Sequence, residues 1–523
     1  MRLSQLNQVE YEDILLIVKY LAHSGSSFFS IKSPALLDIA HRFLPNTPMP
    51  DHRQIKKLFE RLYEEHKATL MERLKKVEAV ALTTDGWSTR RTKRFVVITT
   101  HWVKDGVFYK AVLDFKFFPR KHTAVALAEH IFDVELEFGI ANKVLTVTTD
   151  NAKNATKSIL ILQKLHHTNL GTPQTLKLPW HIGCMAHTIN IVVREGLDEL
   201  KLVRKLRDIL GVLRGVCSLN ELFEETTRSL LGKRKRVPGL DVETRWNSMY
   251  LMIKSSIKLR EVIDVISATD LYKEYIKDLY LNKDDWASLE KVTELLKVAY
   301  DYTNELSASS YVSLGQAVPI YQALKSQFKK SKAESQGDDS VSVQINKASE
   351  LMLEKLKKYK ENFKNDLTIL AWLLDPNNDH IAPKAITYKN HLRENARIFS
   401  LSLNGTELTS EFEGAKITQC DEMNDGEIRD PVDFLYSRIG AGMDLKRDEK
   451  MKFYRNLSDN FGVLSEMAFR ILLPMATSVP SESVFSIARN ILGYNRGRLN
   501  ETTIEMIVKL KCLLDLYYTE RPC

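Results

Sequence analysis

The sequence predicts a mixed α/β sheet with helices packed on it, interrupted by a long all-helical stretch. Three observations carry that prediction. From Glu78 to about residue 183, short runs rich in β-branched and aromatic residues alternate with helix-length segments. From about 218 to 470, nearly every segment has helical periodicity instead. At 523 residues the chain exceeds the size at which one hydrophobic core usually stops growing, so two or more folded regions are expected.

Residues 1–77 read as a helical region. EDILLIVKYLAHSG places apolar residues at helical spacing and stops at a glycine, PALLDIAHRFL follows, and DHRQIKKLFERLYEEHKATLMERLKKV is long, charged and amphipathic. The α/β part spans 78–217 and opens with AVALTTD, a short apolar run ending in an acid. FVVITTHWV and VFYKAVLDFKFF come next, and Asp105-Gly106 between them signals a hairpin. TAVALAEHIFDVELEFGI reads as a helix, KVLTVTTD as a strand ending in an acid, and AKNATKSILILQKLHH as a helix. LKLPWHIG supplies one more strand, and AHTINIVVREGLDELKLVRKLRDILGVLRG one continuous helix. The helical insertion, 218–470, carries polar linkers near 330–345 and 403–430. The last part, 471–517, returns to helices, with TTIEMIVKLKCLLDLYY strongly apolar on one face.

Composition sets wide bounds. A net charge of +8 on so long a chain permits a nucleic-acid partner without demanding one. The five cysteines show no paired spacing that suggests a disulfide framework. No apolar run is long enough to span a membrane, and MRLSQLNQVEYED lacks the apolar core of a signal peptide, so a reducing intracellular compartment is the expectation. Lys233-Arg234-Lys235-Arg236 reads either as an import patch or phosphate contact, or as a solvated loop before Pro238-Gly239.

Two acids stand at strand ends. Asp85 closes LTTD, and Asp150 closes TVTTD. Strands of one sheet ending in the same direction bring both carboxylates to one edge. Paired carboxylates repel and raise each other's pKa, an arrangement suited to a divalent cation. Mg²⁺ takes hard oxygen ligands and often only one or two protein carboxylates. The ordinary alternative also holds: Asp150-Asn151 can cap the following helix, and Glu482 can sit in a first turn capped by Ser481 or Ser483.

The ordered motifs then meet a family. TTDGWSTR at 83–90, VTTDNAKN at 147–154, CMAHTIN at 184–190, ETRWNS at 243–248, and SVPSESVFSIARNIL with NRGRL between 478 and 499 occur in the order of the hAT superfamily of transposases and the host proteins derived from them. The chain resembles that superfamily over some 400 residues. The resemblance implies a ribonuclease-H-like core split by a helical insertion, with Asp85, Asp150 and Glu482 as catalytic, metal-holding acids for Mg²⁺ or Mn²⁺. It implies metal-dependent DNA strand cleavage, hairpin formation and strand transfer, or, in a domesticated or inactive relative, a dimerising nuclear DNA-binding factor. In either case the partners are DNA and a second copy of the chain, the dimerisation region covers 430–517, and the location is the nucleus.

Further residues follow from the same motifs. Cys184 and His187, three apart, face one side of a helical turn. They read as half of a zinc site without a second half, as a buried Cys with a core His, or, by resemblance, as part of the core near DNA with His187 active in hydrogen bonding or proton transfer. The resemblance gives Trp246 a stacking role on an extruded base, worth roughly 1–3 kcal/mol, and Arg245 suits a neighbouring phosphate. Trp87, Asn151, Asn154, Asn247 and Ser481 are the remaining motif positions. The family more often has Arg where this chain has Ser483. No Cys precedes Cys184, so no BED-type zinc finger lies in these residues. Two readings stay open: the sequence is a fragment, or DNA is read by another surface.

Overall fold

A computed structural model of the chain describes residues 7–45, 47–88, 93–118, 123–172, 178–241, 246–277, 279–307, 312–337, 339–377, 389–396, 435–436, 445, 449–492 and 500–519. It divides into two compact units: Met1–Cys184 with Ala308–Gly315 and Ile369–Cys523, and Met185–Ser307 with Gln316–Thr368.

The first unit holds the expected mixed sheet. Its strands are β1 (Val80–Ser88), β2 (Arg94–Lys104), β3 (Val107–Phe117), β4 (Val144–Thr149) and β5 (Trp180–Gly183), in the order β3-β2-β1-β4-β5. The β1–β2 and β2–β3 pairs are antiparallel, and the β1–β4 and β4–β5 pairs parallel. Asp105 and Gly106 turn the hairpin with φ of +52° and +72°, as the Asp-Gly signal requires. Between β3 and β4 runs α4 (Ala124–Glu137), started by the Thr123 side chain on the Ala126 amide. Between β4 and β5 runs α5 (Lys153–Leu170), ended by Gly171 in the left-handed conformation.

The N-terminal helices belong to this unit's core. They are α1 (Gln8–His23), α2 (Pro34–Phe43) and α3 (His52–Lys75), and α1 and α3 each begin with a capping box, at Asn7 and Asp51. Val18, Leu21 and Phe59 share one buried cluster with Phe95 and Phe115 of the sheet and Phe485, Ile491 and Leu510 near the other end of the chain. The C-terminal helix, Glu501–Thr519, lies against β3 and α3. Its Lys509 bonds Asp114, its Glu505 accepts from the Phe117 amide, and Glu501 pairs with Lys93. The apolar face legible in TTIEMIVKLKCLLDLYY is therefore spent largely inside the chain.

Several expectations need correction. β1 does not stop at Asp85; it continues to Ser88 because β2 still offers partners, with Asp85 opposite Val97 and Ser88 opposite Arg94. The single helix expected over 186–215 is two, α6 (Met185–Leu197) and α7 (Lys201–Gly215). Leu200 leaves helical backbone between them and buries its side chain. The polar segment near 330–345 is helical up to Glu334 and again from Ser340, where the Asp339 side chain accepts from the Val341 and Ser342 amides and starts the next helix. The linker expected over 403–430 lies outside the described residues.

The second unit is all-helical. It begins by packing at Met185, not 218, and ends at Thr368, not 470, since α6 packs on the Ser340–Lys358 helix. That contact is close: a Cβ on Gly196 would lie 2.6 Å from the Ala348 carbonyl oxygen. Arg207 forks onto Asp241, with both bonds at 2.7 Å, fixing the chain just ahead of the ETRWNS motif.

Candidate active site

β1 and β4 set the positions of the two aspartates. Their register pairs Thr83 with Thr148, so two residues further along each strand come Asp85 and Asp150. Neighbouring strands lie about 4.8 Å apart, which makes these acids neighbours at one sheet edge. Asp85 is half-buried and accepts from the Gly86 amide at 2.7 Å. Asp150 does not cap α5: its Oδ1 accepts from the Ala152 amide at 3.1 Å, in a turn before the helix begins. Asp85, Asp150, Asn154 and Arg94 line a cleft of about 350 Å³.

Glu482 arrives from far along the chain, in the first turn of the Val479–Leu492 helix. The Ser481 and Glu482 amides both reach the Ser478 carbonyl, so the helix starts just after Ser478 and neither Ser481 nor Ser483 caps it. Three ties hold this start. The Ser478 amide donates to Cys184 Sγ at 3.4 Å. Ser481 Oγ lies 2.7 Å from Thr83 Oγ1, which lies 2.6 Å from Thr99 Oγ1. Trp87 stacks on Phe485 with centroids 5.6 Å apart. Upstream, Thr148 Oγ1 donates to the Met475 carbonyl at 2.7 Å. Glu482 itself is exposed.

The three carboxylates share one electrostatic field. Burial pushes the Asp85 carboxyl well above the usual aspartate value, and the charges of Glu482 and then Asp150 push it further. The Gly86 amide opposes them. Among the described residues, no three acidic, His or Cys side chains converge closely enough to grip one ion. What is built is an anionic edge and not a closed cage. An open site of this kind fits Mg²⁺ or Mn²⁺, which is commonly held by one or two carboxylates with water or substrate phosphate completing the shell.

Cys184 ties the strand ends together. Its amide donates to the Thr149 carbonyl at 2.8 Å, its carbonyl accepts from Asn151 Nδ2 at 3.1 Å, and its thiol is buried. His187, Trp246 and Asn247 lie in the second unit. His187 is half-buried on α6. Trp246, the first residue of the Trp246–Ile257 helix, is only 3% exposed, so its ring is packed and not displayed for a base. Asn247 Oδ1 beside it is buried with no partner among the described residues. Arg245 lies outside the described residues.

Two residues at the site escape a reading of motifs. Arg94 enters the cleft from β2 because β1 runs on to Ser88, a pairing that no local signal announces. His181, on β5, stands with Nε2 2.9 Å from Thr149 Oγ1. Burial lowers its pKa while the Asp150 charge pulls the other way. The strand signal in LKLPWHIG was the available pointer to it.

Residues 83–174 match the ZBED1 RNase-like domain, 182–295 the ZBED1 RNase-like helical domain, and 443–512 the hAT family C-terminal dimerisation region. The chain is related to hAT transposases and BED-zinc-finger proteins. It is 23% identical to "Putative transcriptional regulator tpeD" of Talaromyces stipitatus over 95% of this chain and 61% of that protein. With "Putative AC transposase" of Zea mays it shares 22% identity over 89% of this chain and 61% of that protein. With human "Zinc finger BED domain-containing protein 4" it shares 22% over 87% and 39%. The chain thus spans about three-fifths of the length of the first two. The α/β unit is ribonuclease-H-like, and a large all-helical insertion follows its fifth strand. Among the described residues, no helix is long and apolar enough to cross a membrane.

Proposed function

We propose that the chain carries the cleavage core of a hAT-type DNA transposase, cutting DNA strands with Mg²⁺ or Mn²⁺, forming hairpins and transferring strands. The observation that supports this best is the convergence of Asp85, Asp150 and Glu482 on one field, from segments as distant as β1 and the Val479–Leu492 helix. Asp85 and Asp150 would hold the metal, with Glu482 completing the site. A divalent ion there supplies charge neutralisation and activation of water for attack on phosphorus. Arg94 is placed to meet a phosphate at the cleft, and neutral His181 to exchange a proton beside Thr149 and Asp150. DNA is the substrate, a second copy of the chain is the partner, and the nucleus is the site of action in this reading.

The test is Mn²⁺-dependent nicking of plasmid carrying the genomic flanks of the gene, with Asp150→Asn as control. Wild-type levels of nicking in that variant would sink the assignment. A second reading has its own support: the relative that matches 95% of this chain bears a regulator's name. Under it the chain is a dimerising DNA-binding factor that does not cut. Retention of the flanking DNA by wild type and Asp150→Asn alike, with no nicking by either, identifies that case.

A further inference from the structure

The basic run at residues 233–236 lies in the helical unit, on the connection from the Cys217–Leu231 helix to Asp241. It forms no helix or strand, yet its backbone is fixed along its length. Gly232 closes the preceding helix in the left-handed conformation, its amide on the Arg228 carbonyl. The Lys235 amide donates at 2.9 Å to the hydroxyl of Thr227, a fully buried residue. Val237 is buried, and Arg214 Nη1 donates to the Val237 and Pro238 carbonyls at 3.1 and 3.3 Å. The Arg207 fork on Asp241 holds the far end. Residues 228–236 carry five cations and no acid. Arg234 pairs with Glu224. Arg228, Lys233, Lys235 and Arg236 have no acidic partner among the described residues, and Lys233 and Arg236 are exposed. The partial negative charge at a helix C-terminus suits Arg228 in the last turn, but it fades beyond that turn and leaves Lys235 and Arg236 unexplained. A solvated loop would let such like charges drift apart, and here the backbone holds them together.

We propose that Lys233, Lys235 and Arg236 hold the phosphate backbone of a DNA duplex, with Arg228 one turn back on the helix. The proposal rests on DNA as the partner in the reading above, and not on cutting. Phosphate contacts ask for positive charge in a fixed place and carry no sequence. An ordered loop meets them without first losing conformational freedom. The rival use of such a run is as an import signal. A receptor that reads a basic peptide takes it as an extended chain in a groove, and this run is not free to leave the protein. Lifting it out would break the Lys235–Thr227 and Arg214 bonds and expose Val237. The same ties that bar a groove-bound peptide fix the loop for a phosphate backbone.

Fluorescence anisotropy of the full chain on a duplex of arbitrary sequence, over a range of KCl concentrations and without divalent metal, tests this. Each phosphate contact adds about 0.9 to the slope of log affinity against log salt. The triple variant Lys233→Ala, Lys235→Ala, Arg236→Ala should therefore lower the slope by about 2–3 and weaken binding by about 60- to 500-fold at roughly 0.1 M salt. Lys283→Ala, Lys291→Ala and Lys297→Ala together remove the same charge from an exposed face of the Lys283–Leu306 helix. They should lower the slope by less than about 0.5. The native chain should not compete with a free peptide of residues 230–240 for a nuclear-import receptor. An unchanged slope in the loop variant, an equal loss from both triples, or competition by the native chain as strong as the peptide's overturns the proposal. If the alanine variant fails to fold, Gln at the same three positions removes the charge, keeps the reach and decides. A wild-type chain that binds no duplex overturns this proposal and the DNA reading together. Duplex binding retained by the loop variant overturns this one alone and leaves metal-dependent nicking to stand or fall by itself.

Discussion

Replacing Lys509 by Met should loosen the C-terminal helix from the sheet by an amount the structure fixes within a small range. Lys509 Nζ donates to Asp114 Oδ1 at 3.1 Å, with side chains only 17% and 12% exposed. Burial alone would raise the Asp114 carboxyl. Its neighbours His130 and Lys509 more than reverse this and hold it at about 2, against an ordinary 3.8. His130 Nε2 is 3.1 Å from Asp114 Oδ2 and shares the lowering with Lys509. A drop from 3.8 to about 2 is worth about 2–2.5 kcal/mol at roughly 1.4 kcal/mol per pH unit. His130 keeps part of that in the variant while stranding a buried charge adds to the loss, so Lys509→Met should cost about 1–3 kcal/mol. Hydrogen exchange of β3 and the Glu501–Thr519 helix at pH 7 then accelerates by about 5- to 160-fold if it proceeds by local opening. The sign with pH follows from a depressed carboxyl: the contribution is complete above the unfolded value near 4 and is lost as pH falls through 2. About half of it is gone by pH 3. Protection within threefold of wild type at pH 7, or a gap undiminished at pH 3, would refute the reasoning.

Three further outcomes are expected. Thr83→Val cuts the hydroxyl chain between Ser481 and Thr99 and, on the cleavage reading, should lower strand-cleavage kcat by about 10- to 100-fold and weaken Mn²⁺ binding in calorimetry through misplacement of Glu482. Gly196→Ala puts a Cβ 2.6 Å from the Ala348 carbonyl oxygen and should cost about 1–3 kcal/mol, read as faster exchange in the Ser340–Lys358 helix. Trp246→Ala removes a ring that is 3% exposed and should cost the helical unit about 3–5 kcal/mol, more than the roughly 1–3 kcal/mol of one stacked base. Wild-type exchange rates around residue 246 in that variant would show that the ring is not held in the core.

How much of this was legible in the sequence depends on the range of the interaction involved. Asp85 and Asp150 were legible because each follows an apolar, β-branched run, and a parallel strand pair turns that local fact into a shared edge. The extension of β1 to Ser88 was not, since Asp85-Gly86 looks like a turn, and only pairing with β2 overrides it. The 330–345 segment misled through composition: its serines and acids read as a linker, while Asp339 uses the same chemistry to start a helix. The burial of Trp246 was equally hidden, because an indole at a helix start serves a core or a binding face with the same local sequence.

Glu482 was the least legible of the acids, and its surroundings explain why. The groups that hold it are Cys184, Thr83 and Trp87, each roughly 300 or more residues away in sequence. They act on Ser478, Ser481 and Phe485, which flank Glu482 on both sides and leave its carboxylate exposed. Ser483, where the family more often has Arg, takes no part in these ties; its hydroxyl turns back to the Pro480 carbonyl at 2.7 Å. The departure at Ser483 therefore falls outside the contacts that place the acid, which run through Ser478, Ser481 and Phe485.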